Sequence, residues 1–157
     1  MRMKRILLGC VTSVFLMACS PGVDPSQGTD SSPELTEAQQ IISDYVQSFN
    51  DCDLQAASTL MHEEIEWLTI SGSSVDVTTQ GKAALIEALT AYMTNGCSTV
   101  STLSDWSVNG PHIAVKETAG WMNADGESQS QSATAVYEIE DQLVRRVWYF
   151  PAHRGGA

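Results

Sequence analysis

Apolar residues recur along the chain at two spacings, and the change from one to the other divides it. Beginning at Ala38, the positions Ile41, Ile42, Tyr45, Val46 and Phe49 follow at intervals of three and four, which marks one face of an α-helix. Thr36 with Gln39 makes a capping-box pattern that starts this helix, and it ends near Asn50. Asp53 is placed to cap a second, shorter helix with Leu54, Ala57, Leu60 and Met61 turned inward and His62, Glu63 and Glu64 at its end. Residues 65–70 and 75–79 alternate as strands on either side of a Gly72-Ser73-Ser74 turn. Gly81 opens a third helix, with Ala84, Leu85, Ala88, Leu89 and Tyr92 on one side and Asn95-Gly96 as its stop.

Beyond residue 100 the spacing is that of strands. Residues 100–108 run into Asn109-Gly110, a hairpin signal, and residues 112–122 follow. A turn at Asp125-Gly126 and a polar Ser/Gln stretch lead to a strand at 133–139, and Asp141-Gln142 turns into the last one at 143–150. Early helices followed by an antiparallel meander predict an α+β fold, with the helices on one face of a curved sheet.

The first residues obey neither spacing. Arg2, Lys4 and Arg5 precede thirteen uncharged residues, 6–18, whereas a membrane-spanning helix needs about 20. This is the pattern of a signal peptide. Its end, Leu16-Met17-Ala18-Cys19, resembles a bacterial lipobox, which implies cleavage before Cys19, acylation of Cys19 and a lipid anchor. Ser20 resembles the outer-membrane sorting pattern. The alternatives are an ordinary secretory signal, whose small-x-small cut site Leu16-Met17-Ala18 fits poorly, and a chance cysteine. Residues 19–33 are rich in Ser, Pro, Gly and Asp and form a tether. The folded domain is expected over 34–151, with 152–157 as a C-terminal tail.

Charge and cysteine content change the picture in two ways. The 157 residues carry 8 Lys+Arg against 19 Asp+Glu, a net charge of −11. Because the signal peptide holds three of the basic residues and none of the acidic ones, the remainder stands at about −14. That acidity excludes nucleic acid as a partner and leaves the lipid anchor as the only membrane attachment. Cys52 and Cys97 are the two cysteines left after the lipobox, and an oxidising periplasm would favour their pairing; two buried free thiols are the alternative.

Several segments together resemble a known family. Tyr45-Val46 through Asn50, Asp53-Leu54, Leu60-Met61 and Glu64-Ile65-Glu66-Trp67 form the first half. Gly81-Lys82-Ala83-Ala84-Leu85-Ile86, Ala135-Val136-Tyr137-Glu138-Ile139-Glu140-Asp141 and Val147-Trp148-Tyr149-Phe150 form the second. In order and spacing they resemble the SnoaL-like branch of the nuclear transport factor 2-like superfamily. The resemblance implies a cone-shaped fold, three helices packed on a curved, mostly antiparallel sheet, with a pocket between them and often a homodimer.

Two catalytic patterns of that superfamily can be laid on the chain. In the ketosteroid isomerase pattern Tyr45 matches the oxyanion tyrosine, but the base falls on Thr69 and the oxyanion acid on Ala135, neither of which serves. In the epoxide hydrolase pattern, Glu117-Thr118-Ala119-Gly120 keeps only the glutamate, and the second aspartate falls on Trp148. Strand alternation leaves two registers open. One lines the pocket with Lys116, Thr118, Arg146, Trp148 and Phe150, beside Tyr45, Phe49, Trp67, Thr69 and Tyr137, so that Lys116 and Arg146 could meet a carboxylate or phosphate. The other turns Glu117 and Trp121 inward and makes Glu117 the candidate acid/base. Core filling would explain the aromatic residues in either case.

No cofactor motif and no metal-ligand spacing is present; His62, His112 and His153 are scattered. The expectation is an outer-membrane lipoprotein facing the periplasm that binds a small, partly apolar molecule or an envelope partner without catalysis. The second expectation is a cofactor-independent hydrolase, isomerase or lyase acting on a small apolar substrate, using Tyr45 with Glu117, Lys116 or Arg146. A third is docking through the outer sheet face, with Trp121 and Tyr149 as anchors.

Overall fold

The computed structural model describes residues 34–94 and 96–154. The expected signal peptide, Cys19 and the tether lie outside the described residues. The described chain forms three helices, α1 (Glu37–Asn50), α2 (Leu54–Thr59) and α3 (Lys82–Thr94). Seven strands accompany them: β1 (Met61–Ser71), β2 (Ser74–Gln80), β3 (Val100–Asn109), β4 (His112–Met122), β5 (Ser128–Glu140), β6 (Leu143–Tyr149) and β7 (His153–Arg154).

Local chemistry explains most of these boundaries. The Thr36 hydroxyl accepts the Gln39 N–H while the Gln39 side chain accepts the Thr36 N–H, so α1 begins with two of its free donors satisfied. After α1 the chain reverses through Cys52, at φ +58°, and Asp53 caps α2 by accepting the Ala56 N–H. α2 stops sooner than its apolar pattern predicts. Leu60 is its C-cap, its carbonyl accepts the Val144 N–H, and Met61 pairs with Val144. Sheet pairing has therefore claimed the last turn, and His62, Glu63 and Glu64 belong to β1.

β5 also begins earlier than expected and takes in the polar Ser/Gln stretch. Its residues pair with β4 without a break from His112↔Glu138 to Met122↔Ser128, so backbone bonds, not apolar side chains, hold that end. Residues 153–154, expected in a tail, pair with Gln131 and Ser132 of β5 as β7.

The strand order is β2-β1-β6-β5-β4-β3, with β7 on β5. Every pairing is antiparallel except β1 with β6, where Trp67↔Val147 and Thr69↔Tyr149 run in the same direction. The helices cover one face. Ile42, Tyr45 and Val46 of α1 and Leu85 and Leu89 of α3 are buried against Ile65, Ile113, Val115, Tyr137, Val144 and Val147 from four strands. Each such side chain contributes roughly 1.5–3 kcal/mol.

On the opposite face, Glu66, Arg146 and Glu138 stand in register across β1, β6 and β5. Arg146 donates to Glu66 through Nε and to Glu138 through Nη1 at 2.8 Å. Arg145 sits at the adjoining irregularity and pairs with Glu64, Glu66 and Glu140. Cys52 and Cys97 are joined as a disulfide with Cα atoms 5.7 Å apart, linking the α1–α2 turn to the segment after α3.

Two outcomes follow from these cross-strand and covalent links. The disulfide spans a sequence separation of 45, so on the chain-entropy model reducing it lowers stability by about 4 kcal/mol. Urea denaturation with and without reductant measures this, and equal midpoints would contradict it. The Arg146 hydrogen bond, with help from the nearby Arg145 charge, holds the Glu66 carboxyl below its ordinary value of 4.5. Its contribution is complete above that value and vanishes as pH falls through the lower native one. Glu66→Gln therefore destabilises by about 1–2 kcal/mol at neutral pH. The gap from wild type should close in acid; a gap independent of pH would contradict it.

Candidate functional site

β4 decides what faces the helices. Ile113 and Val115 are buried, so Glu117, Ala119 and Trp121 lie on that same side and Lys116 and Thr118 on the other. The carboxylate of Glu117 opens onto a cavity of about 360 Å³ between the helices and the sheet. α1 supplies Val46, Phe49 and Asn50 to its wall, and α3 supplies Leu85, Ala88, Leu89 and Tyr92. Trp67 of β1, Thr78 and Thr79 of β2, Thr99 and Ser101 near β3, and Tyr149 of β6 complete it. Glu117 and Tyr149 also border a smaller cavity of about 240 Å³, whose walls include Ala119, Gln131 and Phe150.

The polar atoms at the floor form one connected chain. Ser101 donates its hydroxyl to Glu117 Oε1 at 2.8 Å, and the Tyr137 hydroxyl donates to Oε2 at 3.3 Å. The Tyr149 hydroxyl lies 3.4 Å from that of Tyr137. Either hydroxyl can be the donor in that contact, and the Tyr149 hydroxyl also hydrogen-bonds Glu117. Ser101 is itself held by Asn50 at the end of α1. The Asn50 amide donates to the Ser101 carbonyl at 2.9 Å and its oxygen accepts the Ser101 N–H at 2.8 Å.

A second link fixes the aromatic wall, where the Trp67 indole N–H donates to the Tyr45 hydroxyl at 3.3 Å. Phe49 meets the Tyr45 ring edge-on at 4.8 Å, and Trp67 meets Tyr149 likewise at 5.8 Å. Burial raises all three buried tyrosine hydroxyls well above their ordinary value of 10.0, and the Glu117 charge pushes each in the same direction. They stay protonated and serve as hydrogen-bond donors and acceptors, not as bases.

Of the residues expected to line the pocket, Phe49 and Trp67 do so directly. Tyr45 and Tyr137 lie fully buried beneath it. Lys116, Thr118, Arg146 and Trp148 do not line it. Lys116 is half exposed and pairs with Asp105 at 3.8 Å, Thr118 bonds the Ser132 hydroxyl, and Trp148 packs beside His112. Arg146 is held in the outer ion network. The physical reason is the alternation set by Val115 and Val147, both buried, which turns their neighbours away. Thr69 is exposed and shares a hydrogen bond with Thr78, and Phe150 borders the smaller cavity.

Tyr149, expected as an outer anchor, faces the pocket, and Trp121 is also on the inner side, beside a shallow groove with Ser98 and Thr99. Sequence reasoning did not single out Asn50, Ser101 or Tyr149 as parts of the site. Tyr149 carried a usable signal, two residues after Val147, but Ser101 and Asn50 matter only through partners remote in sequence.

Among the described residues Glu117 is the only charged one on the cavity wall, with no Lys, Arg or His beside it. Among the described residues no three His, Cys, Asp or Glu side chains cluster as metal ligands. The arrangement can accept hydrogen bonds or positive charge from an apolar molecule, and it provides one carboxylate for moving a proton.

The profile of the SnoaL-like domain matches residues 42–147. A nuclear transport factor 2-like protein of unknown function from Cytophaga hutchinsonii is 20% identical, with a TM-score of 0.55 over 73% of this chain and 97% of that one. TerC, co-crystallised with polyporic acid, is 17% identical with a TM-score of 0.59, covering 73% and 90%. A protein from Kribbella flavida proposed to be a ketosteroid isomerase is 19% identical with a TM-score of 0.58, covering 77% and 79%. At these identities the likeness is one of fold. None of the curated proteins compared matches the chain.

The buried tyrosines make the domain sensitive to alkali in a calculable direction. Unfolded tyrosines ionise near 10 and these three do not while folded, so the native state holds more protons above that pH and stability falls as pH rises. With three groups the slope approaches about 4 kcal/mol per pH unit. Absorbance near 295 nm should show these three ionising together with unfolding as followed by circular dichroism. Their full ionisation in the folded protein would contradict the geometry.

Proposed function

The chain belongs to the SnoaL-like domain family, and from that premise we propose that it is an envelope lipoprotein whose pocket binds a small, partly apolar molecule without transforming it. The observation that carries the binding role is the cavity of about 360 Å³ walled by Phe49, Trp67, Leu85, Leu89 and Tyr149, with a single ionised group at its floor. That volume lies in the range of small-molecule sites, which combine an apolar lining with a few oriented polar groups. TerC, of the same fold, was co-crystallised with polyporic acid, which supports a small-molecule role for a pocket of this kind. The envelope location rests on the charged n-region, the apolar run and Cys19.

A second reading is favoured by one contact, the Tyr137 hydroxyl on Glu117. A carboxylate oriented by a neutral phenol is a suitable proton acceptor for an isomerase or lyase. The other elements of the superfamily's two catalytic sets are missing here, with Thr69 exposed on β1 and Ala135 fully buried. Binding without turnover is therefore the leading reading.

Native mass spectrometry of protein taken from the periplasm or membrane without refolding tests it. Wild type should retain a small molecule, and Ala88→Trp, which projects an indole into the cavity from α3, should lose it while remaining folded. Equal occupancy in both, or no retained mass in wild type, would count against the pocket. For the anchor, Cys19→Ser should release the chain in soluble form, and membrane retention of that variant would contradict acylation.

A further inference from the structure

We propose that the pocket selects a cationic ligand, an apolar or aromatic skeleton bearing a protonated amine that pairs with Glu117. The inference rests on the small-molecule reading above and narrows the ligand class. Among the described residues Glu117 is the sole charged group on the wall, and its two oxygens meet the uncharged hydroxyls of Ser101, Tyr137 and Tyr149. None of the three neutralises it. A carboxylate accepts about four hydrogen bonds, so this one keeps capacity for a further donor reaching it from the cavity.

Among the described residues, basic side chains elsewhere do not supply that charge. Lys82 pairs with Glu63, Lys116 with Asp105, and Arg145 and Arg146 with Glu64, Glu66, Glu138 and Glu140. Arg154 stands opposite Gln131 on β7 and is not part of the cavity wall. The aromatic wall adds attraction of the same sign. Phe49, Trp67 and Tyr149 lie in sequence around the cavity at ring separations of 6.3 and 5.8 Å, and aromatic faces draw cations. The chain as a whole carries −11, which raises the local concentration of cations and lowers that of anions. A carboxylate or phosphate ligand would meet the Glu117 charge with no compensating group on the wall.

The volume limits size. About 360 Å³ corresponds to roughly a dozen waters' share of liquid, enough for a one-ring amine with a short chain. The Glu117–Tyr149 edge shared with the smaller cavity gives a longer substituent a place to continue.

Three probes with one skeleton separate charge from apolar binding: 3-phenylpropylammonium, 3-phenylpropan-1-ol and 3-phenylpropanoate. Titrated calorimetrically into the full chain near neutral pH, the amine should bind about tenfold or more tighter than the alcohol, in keeping with a charge-assisted contact. The carboxylate should bind weakest. Glu117→Gln, which keeps an oxygen for Ser101 and Tyr137, should bring the three within about threefold of one another, judged by the same fold-change scale. Lys116→Gln, on the other sheet face, should leave the ordering unchanged. If Glu117→Gln does not fold, the wild-type ordering and its weakening by salt still decide the matter. An alcohol or carboxylate as tight as the amine would overturn the charge assignment and leave the pocket standing. Failure of all three to bind would overturn the small-molecule reading together with it.

Discussion

Burying Ile113 and Val115 beneath the helices commits Glu117, two residues further along β4, to the same side of the sheet. The strand cannot bury the two aliphatic side chains and turn the glutamate outward, because a slip of one residue would reverse every position together. A carboxylate facing an apolar interior without partners would cost several kcal/mol. The surrounding elements meet that requirement. Tyr137 reaches up from β5, Ser101 reaches across from β3, and Asn50 at the end of α1 holds the Ser101 backbone from both sides. Three separate elements are thus positioned around one ionised group.

The same alternation sorts charge between the two faces. Arg146 and Lys116 are found with acidic partners on the solvent side, whereas the helix side holds Glu117 among rings and hydroxyls. An interior with one charge and several aromatic residues has a definite electrostatic sign, which a mixed lining would cancel. The three protonated tyrosines preserve it, since burial keeps them neutral and leaves Glu117 as the charged group on the described wall.

The helices were readable in the chain because their signals are local. Thr36 and Gln39 are three residues apart, the α1 stripe repeats within fourteen residues, and Asp53 caps the helix that follows it. The end of α2 was not readable, because the partner that claims Met61 is Val144. The polar start of β5 was missed for a related reason, as its stability comes from backbone pairing with β4 and leaves no apolar trace. The site was half legible. Phe49 and Trp67 follow from position in their elements, but the choice between Lys116 and Glu117 needed the register. Two-residue alternation names the pairs that share a face without saying which face is covered.

The one parallel pairing bears on the order in which the molecule can assemble. β1 lies between β2, which follows it after a short turn, and β6, whose residues pair with it across an interval of 80 positions, as in Thr69↔Tyr149. A nascent chain can form the β1–β2 hairpin and α1 early, but the sheet's middle stays open until β6 has emerged. Such non-local closure slows folding because the chain must be ordered over a long loop before the contact rewards it. Trp67 and Tyr149 are brought together by that closing step, so the cavity they line is among the last features of the domain to come into existence.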